Sequence, residues 1–81
     1  MDNGYFIGNC PICRQGMQEI LKERETSKLY ICCDECEAEW HTPQDALADR
    51  SGSRFKYGLS DFASIEDIKK AGWFSYVKRR P

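Results

Sequence analysis

The sequence predicts a small α+β fold: an antiparallel β-hairpin with a third strand, stapled by a metal ion and followed by two short helices. Three observations carry this. Two Cys-x-x-Cys pairs, Cys10-Pro11-Ile12-Cys13 and Cys33-Asp34-Glu35-Cys36, stand with 19 residues between the inner cysteines, the spacing of a four-thiolate zinc site. The spacer between them breaks at Glu25-Thr26-Ser27, as a hairpin would. Beyond Cys36, Thr42-Pro43 and Ser64 each open a stretch with the signature of a helix start.

The elements follow in chain order. Tyr5-Phe6-Ile7 is a short apolar strand, and Gly8-Asn9 gives a turn before Cys10. Two residues between thiols let a tight turn, a knuckle, present both sulfurs to one ion, and two facing knuckles complete a closed tetrahedral site. Arg14-Gln15-Gly16 leaves the first knuckle, with Gly16 expected to supply a backbone angle that other residues avoid. Met17 to Arg24 has apolar residues at helical spacing, Met17, Ile20 and Leu21, yet a strand is preferred. A hairpin returns the chain to the first knuckle, whereas a lone short helix leaves the two knuckles apart. Lys28 to Cys32 is the return strand.

Strand alternation then separates two adjacent cysteines. Leu29, Ile31 and Cys33 share one face, while Tyr30 and Cys32 point the other way. Cys33 gives the two-residue spacing to Cys36, so Cys10, Cys13, Cys33 and Cys36 are the expected ligands. Cys32 is assigned to the opposite, packed face as a small hydrophobe. Glu37 to His41 continues as a third strand in which Trp40 covers the site or closes the core. His41, the only histidine, is a partly exposed neighbour of Trp40 and no ligand.

Thr42 caps the first helix, Pro43 suits its first position and Asp45 complements its dipole. Ala46, Leu47 and Ala48 are expected to face inward, and Ser51-Gly52-Ser53 to end the helix. Arg54 to Ser60 is a loop or short extended segment carrying Phe55 and Tyr57. Ser64 and Asp67 form a capping box for the second helix. Phe62, Ile65 and Ile68 supply its apolar stripe, and Gly72 stops it. Trp73 to Val77 alternates like a strand or packs down, and Lys78-Arg79-Arg80-Pro81 trails into solvent. The expected organisation is residues 1–50 as the metal-bearing part and 51–81 as a basic, aromatic appendage packed on it, in a single compact unit.

At this point the residues resemble a family. The run CPIC, a polar spacer, then LYICCDECEAEWHTPQDAL is similar to a zinc ribbon of the kind found in small bacterial proteins. In that pattern a cysteine knuckle preceded by an aromatic leads to an acid, a tryptophan and a Pro-initiated helix. The resemblance covers Cys10 to Leu47 and implies zinc held by Cys10, Cys13, Cys33 and Cys36. The glycine that commonly follows each knuckle is absent: Arg14 and Glu37 take those places.

Charge and cysteine usage narrow the function. Net charge is −1, but Met17 to Arg50 holds nine acids against four bases, and Ser51 to Pro81 seven bases against three acids. Four thiolates around a divalent ion make the first half more negative still. No secretory signal precedes Cys10 and no segment approaches a membrane span, so a reducing cytoplasm is the expected compartment. A closed four-sulfur site leaves no open position for catalysis. One histidine and no Gly-rich phosphate loop supply no other catalytic constellation, so the chain reads as non-enzymatic. Protein binding is the preferred reading, with Glu19, Glu23, Glu25, Asp34, Glu35, Glu37 and Glu39 as the contact surface for a basic partner. One concrete form is a cytoplasmic immunity protein masking a basic nuclease toxin. The alternative is a nucleic-acid-binding regulator using Lys69, Lys70, Trp73, Lys78, Arg79 and Arg80.

Overall fold

The strand Met17–Glu23 (β2) is the centre of the sheet, because three other strands pair with it, all antiparallel. In the computed structural model, which describes residues 4–48 and 52–78, β3 (Leu29–Cys33) pairs along its length from Gln18↔Cys33 to Lys22↔Leu29. The other edge of β2 is shared. β1 (Phe6–Asn9) takes the first half, through Phe6↔Glu19 and Asn9↔Met17, with an irregularity between the two pairs. β5 (Ser60–Phe62) takes the second half, from Leu21↔Phe62 to Glu23↔Ser60. Ile20 is the junction: its N–H donates to Tyr5 O at 2.9 Å, and its carbonyl accepts from Ala63 N at 3.2 Å. β4 (Glu39–Trp40) closes the far edge against β3.

Residues opposed across antiparallel strands share a face. One face therefore carries Gln18, Ile20, Ile31, Cys33 and Trp40, which is the apolar side. Two short helices cover it. α1 (Pro43–Leu47) contributes Ala46, whose carbonyl accepts from Gln18 Nε2 at 3.1 Å. α2 (Ile65–Lys70) inserts Ile68 among Ile7, Ile20, Ile31 and Trp40. The other face carries Glu19, Leu21, Tyr30, Cys32 and Glu39, and the segment 53–60 lies over it. Tyr57 stacks on Tyr30 with ring centroids 3.9 Å apart and nearly parallel planes. Tyr30 Oη meets Ser60 Oγ at 2.7 Å. Glu39 Oε1 accepts from Lys56 N at 3.0 Å, and Glu23 Oε2 accepts from Gly58 N at 2.6 Å.

The helix boundaries follow the capping chemistry. Thr42 Oγ1 accepts from Asp45 N at 3.2 Å ahead of Pro43, and Ser64 and Asp67 make a reciprocal capping box. Gly72, at φ 78°, ends α2: its N–H donates to Lys69 O and that of Trp73 to Ile68 O, both at 3.0 Å. This pair of bonds is a Schellman motif, in which a left-handed residue lets the chain turn back over the last carbonyls.

Several expectations are corrected. Gly8 and Asn9 belong to β1 rather than to a turn. The third strand is only Glu39–Trp40. α1 ends at Leu47, with Ala48 closing it, so one face of a single turn has room to bury only Pro43 and Ala46. Leu47 is 53% exposed and Ala48 is exposed too. Ser53 does not terminate that helix; it exchanges backbone bonds of 2.8 Å with Glu39, and Ser51 lies outside the described residues. Phe62 sits in β5 at 47% exposure instead of on the α2 stripe. Of the two alternatives for Trp73 to Val77 the packed one holds: Phe74–Tyr76 is a turn of 3-10 helix, and Trp73, Tyr76 and Val77 pack on the core. Lys78 does not trail away, since its N–H donates to Phe6 O at 2.7 Å. Arg79, Arg80 and Pro81 lie outside the described residues. Among the described residues no helix is long and apolar enough to cross a membrane.

Candidate metal centre

The hairpin brings the start of β2 and the end of β3 to the same end of the sheet, and the two knuckles meet there. Cys10, Cys13, Cys33 and Cys36 place their Sγ atoms within 4.8 Å of one another. Cys10 Sγ lies 3.7 Å from Cys36 Sγ, and Cys13 Sγ 3.6 Å from Cys33 Sγ. A tetrahedron with metal–sulfur bonds of about 2.3 Å has edges of about 3.8 Å, so these separations suit one ion. They are far too long for a disulfide, with its bond of about 2.0 Å. They are also too short for a multi-iron cluster, in which the thiolates spread over separate irons. The four residues can hold a single metal ion.

The backbone prepares the sulfurs for charge. Ile12 N donates to Cys10 Sγ at 3.4 Å and Gly16 N to Cys13 Sγ at 3.4 Å. Glu35 N and Cys36 N donate to Cys33 Sγ at 3.3 and 3.4 Å. The two knuckles are near copies: Cys10 N–H donates to Gly16 O at 2.9 Å, and Cys33 N–H to Ala38 O at 2.8 Å. Backbone N–H groups of Gln15 and Gly16 pull the Cys13 thiol down, whereas burial pushes the Cys33 thiol up. A divalent cation favours the thiolate at every position, so metal binding releases protons and reverses the burial penalty at Cys33.

Gly16 is required for a reason other than the one expected. It has no positive φ among the described glycines. A Cβ there would lie 2.5 Å from Cys33 Sγ and 2.8 Å from Asp34 Oδ1. The first knuckle packs directly on the second at this point, and only a hydrogen fits. The left-handed angles fall instead on Arg14 (φ 60°) and Glu37 (φ 63°), each immediately after the second cysteine of its knuckle. Such a conformation costs a residue with a Cβ about 1–2 kcal/mol. Glu37→Gly and Arg14→Gly are therefore each expected to raise stability by about 1 kcal/mol, less the added freedom of the unfolded chain. Urea denaturation of the metal-loaded protein measures this, and a loss of stability would show that these side chains make contacts worth more than the strain.

Cys32 stays outside the cluster. It is half-buried on the opposite face, paired in register with Glu19 and Glu39. Its register partners are carboxyls, and burial, then the charge of Glu39, push its thiol up to about 12. At that value it is a poor nucleophile. His41 is exposed, with Nδ1 3.4 Å from Tyr57 Oη, and takes no part in the cluster.

The acidic residues divide into three groups. Glu19 is 9% and Glu39 7% exposed: Gly4 lies against the Glu19 carboxyl, and Ser53 Oγ and Lys56 N hold Glu39, so neither is available as a contact surface. Glu23 is half-buried and held by Gly58 N and by Thr26 Oγ1 at 2.6 Å. Glu25, Asp34, Glu35 and Glu37 are exposed; of these, Asp34 Oδ1 accepts from Met17 N at 2.8 Å and so ties the second knuckle to β2. Burial, then the charge of Asp34, push the Glu19 carboxyl up to about 7. A raised carboxyl contributes most below its ordinary range, near 4.5, and that contribution is lost as pH climbs through 7. Glu19→Gln should therefore stabilise the protein by roughly 1–2 kcal/mol at pH 8 and little at pH 5. Urea midpoints at the two pH values check this; equal gains at both would put the effect outside titration.

The basic set is split. Lys69 lies over the Phe74 ring at 5.0 Å, Lys70 is exposed and Trp73 is half-buried. Lys78 is exposed on a backbone anchored to β1, and Arg79 and Arg80 lie outside the described residues. No family model, curated protein or solved structure matches the chain, so the reading of the site rests on its own geometry. The small antiparallel sheet, the two short helices and the gathered cysteines are consistent with a ribbon-like α+β fold.

The sequence missed three things that shape the site: the close approach at Gly16, the Asp34 link to β2, and the cover that segment 53–60 lays over Glu39. Only the first carries a local signal, a glycine three residues after Cys13, and spacing alone does not say what the glycine is near.

Proposed function

We propose that the protein is a non-catalytic module, stapled by a structural zinc ion, that binds another protein through the acidic end of its sheet. The soft donor set of four thiolates suits zinc, and iron is the competitor during expression. The observation that carries the reading is the exposure of Asp34, Glu35 and Glu37 on the second knuckle, around a centre whose four thiolates and one divalent ion add a formal charge of about −2. At that end these acids and the centre outnumber the nearby cations Arg14 and Arg54, the latter donating to Cys36 O at 3.0 Å, on a backbone that the metal fixes. Complementary charge on a basic partner would speed and orient docking.

The finer form of this reading is a cytoplasmic immunity protein that masks the positive cleft of a nuclease toxin. Small size, an acidic end and a closed metal site support it, and a regulatory adaptor for a basic partner shares the same features. Glu35→Lys with Glu37→Lys tests the surface, leaving Asp34 in place because it holds Met17 N. The double variant is expected to stay folded and metal-loaded and to associate at least about tenfold more slowly with the partner at low salt. An unchanged association rate in that variant contradicts the assignment.

A further inference from the structure

The end of the hairpin away from the cysteines has the opposite character. β2 is seven residues long, so its far end lies about 20 Å from the knuckles. There an open groove of about 710 Å³ runs between the sheet and the end of α2, a volume typical of small-molecule sites. Its cations are Lys22, Lys28 and Lys70, and its carboxylate is Asp67, already paired with Lys22 at 3.3 Å. Among the described residues neither Lys28 nor Lys70 makes a direct ion pair, although the charge of Lys28 helps to hold the Glu23 carboxyl down. The groove thus holds a net charge of about +2 in a chain whose formal net charge is −1. Trp73 and Leu29 add an apolar wall, and Ser27 and Thr42 place hydroxyl-bearing side chains in the lining.

We propose that this groove binds a nucleoside phosphate, the lysines taking the phosphate and the wall of Trp73 and Leu29 taking the base. Lys28 and Lys70, neither held in a direct ion pair among the described residues, offer point charges for a phosphate. An aromatic surface beside them rewards a flat ring, because base–aromatic stacking is worth about 1–3 kcal/mol. An acidic peptide would use the lysines and leave the apolar wall unmatched, whereas a nucleoside phosphate uses both. The groove differs from the basic stretch expected from sequence: Lys70 and Trp73 belong to it, but Lys69 and Lys78 do not line it. The ligand is a free mononucleotide or one step of a single strand, and the chemistry at the groove is the same for both.

Calorimetric titration of the metal-loaded protein tests the assignment with five probes: adenosine monophosphate, a short single-stranded oligoadenylate, adenosine, inorganic phosphate and a glutamate-rich peptide. Saturable binding of the monophosphate or the oligoadenylate at about millimolar concentration or below is expected. Adenosine and phosphate alone should each bind at least about tenfold more weakly, since each engages half of the groove. Tight binding of the oligoadenylate alone identifies a strand as the source; binding of the monophosphate identifies a free nucleotide. Lys28→Gln with Lys70→Gln, both on exposed side chains, should weaken binding at least about tenfold and flatten its salt dependence. Lys69→Gln should leave it unchanged, as should the Glu35→Lys, Glu37→Lys knuckle variant. No saturation by either nucleotide, equal binding of the glutamate peptide, or equal loss in Lys69→Gln overturns the proposal.

Discussion

Replacing Cys33 by serine is expected to leave the chain unfolded, while the same change at its neighbour Cys32 leaves it folded and metal-loaded. The two residues differ by one step along β3, and that step moves the sulfur from the buried cluster to the opposite face. Metal held only by the folded form contributes on the order of 10–16 kcal/mol in small zinc modules, against a total stability of about 5–15 kcal/mol for ordinary domains. An 81-residue chain has a thin apolar core, so loss of the ion leaves too little to hold the sheet. At Cys32 serine keeps a donor for Cys33 O, which the thiol reaches at 3.5 Å, and the expected cost is about 1 kcal/mol or less. Far-ultraviolet circular dichroism and metal content separate the cases. A folded, loaded Cys33→Ser protein beside a metal-free Cys32→Ser protein would reverse the ligand assignment.

Gly16→Ala is expected to cost about 2–4 kcal/mol and to weaken metal binding by about 10–100-fold. The added methyl would sit 2.5 Å from Cys33 Sγ and 2.8 Å from both Asp34 Oδ1 and Glu35 Cβ. None of these is the free end of a long side chain. Relief therefore requires the two knuckles to part, which stretches the sulfur tetrahedron and breaks the bond from Cys10 N to Gly16 O. Competition with a chromophoric chelator measures the affinity. Unchanged affinity and stability would mean that the knuckles can separate without loss, contrary to the packing described.

The parts of the fold that were legible in the sequence were those with a local cause. Period-two alternation in Leu29 to Cys33 distinguishes the buried Cys33 from Cys32, because adjacent strand residues face opposite ways. Thr42, Ser64 and Gly72 bound their helices because capping chemistry acts within three or four residues. What stayed hidden depends on distant pairing. Ser60–Phe62 becomes a strand only because β1 stops halfway along β2 and leaves an edge to fill. Glu19 and Glu39 read as surface acids, yet both lie on a face where Gly4 approaches Glu19 and segment 53–60 covers Glu39. Leu47 occupies a position for an inward face, but the single turn of a five-residue helix buries only Pro43 and Ala46. The basic groove was invisible for the same reason: Lys28 and Lys70 are 42 positions apart in the sequence and line one groove only in the folded chain.

X-ray absorption on freshly purified, reduced protein, combined with elemental analysis, tests the centre most directly. One zinc or iron ion per chain is expected, ringed by four sulfur scatterers at about 2.3 Å and no nitrogen or oxygen. A folded protein without stoichiometric metal, or a first shell containing imidazole or water, would contradict it.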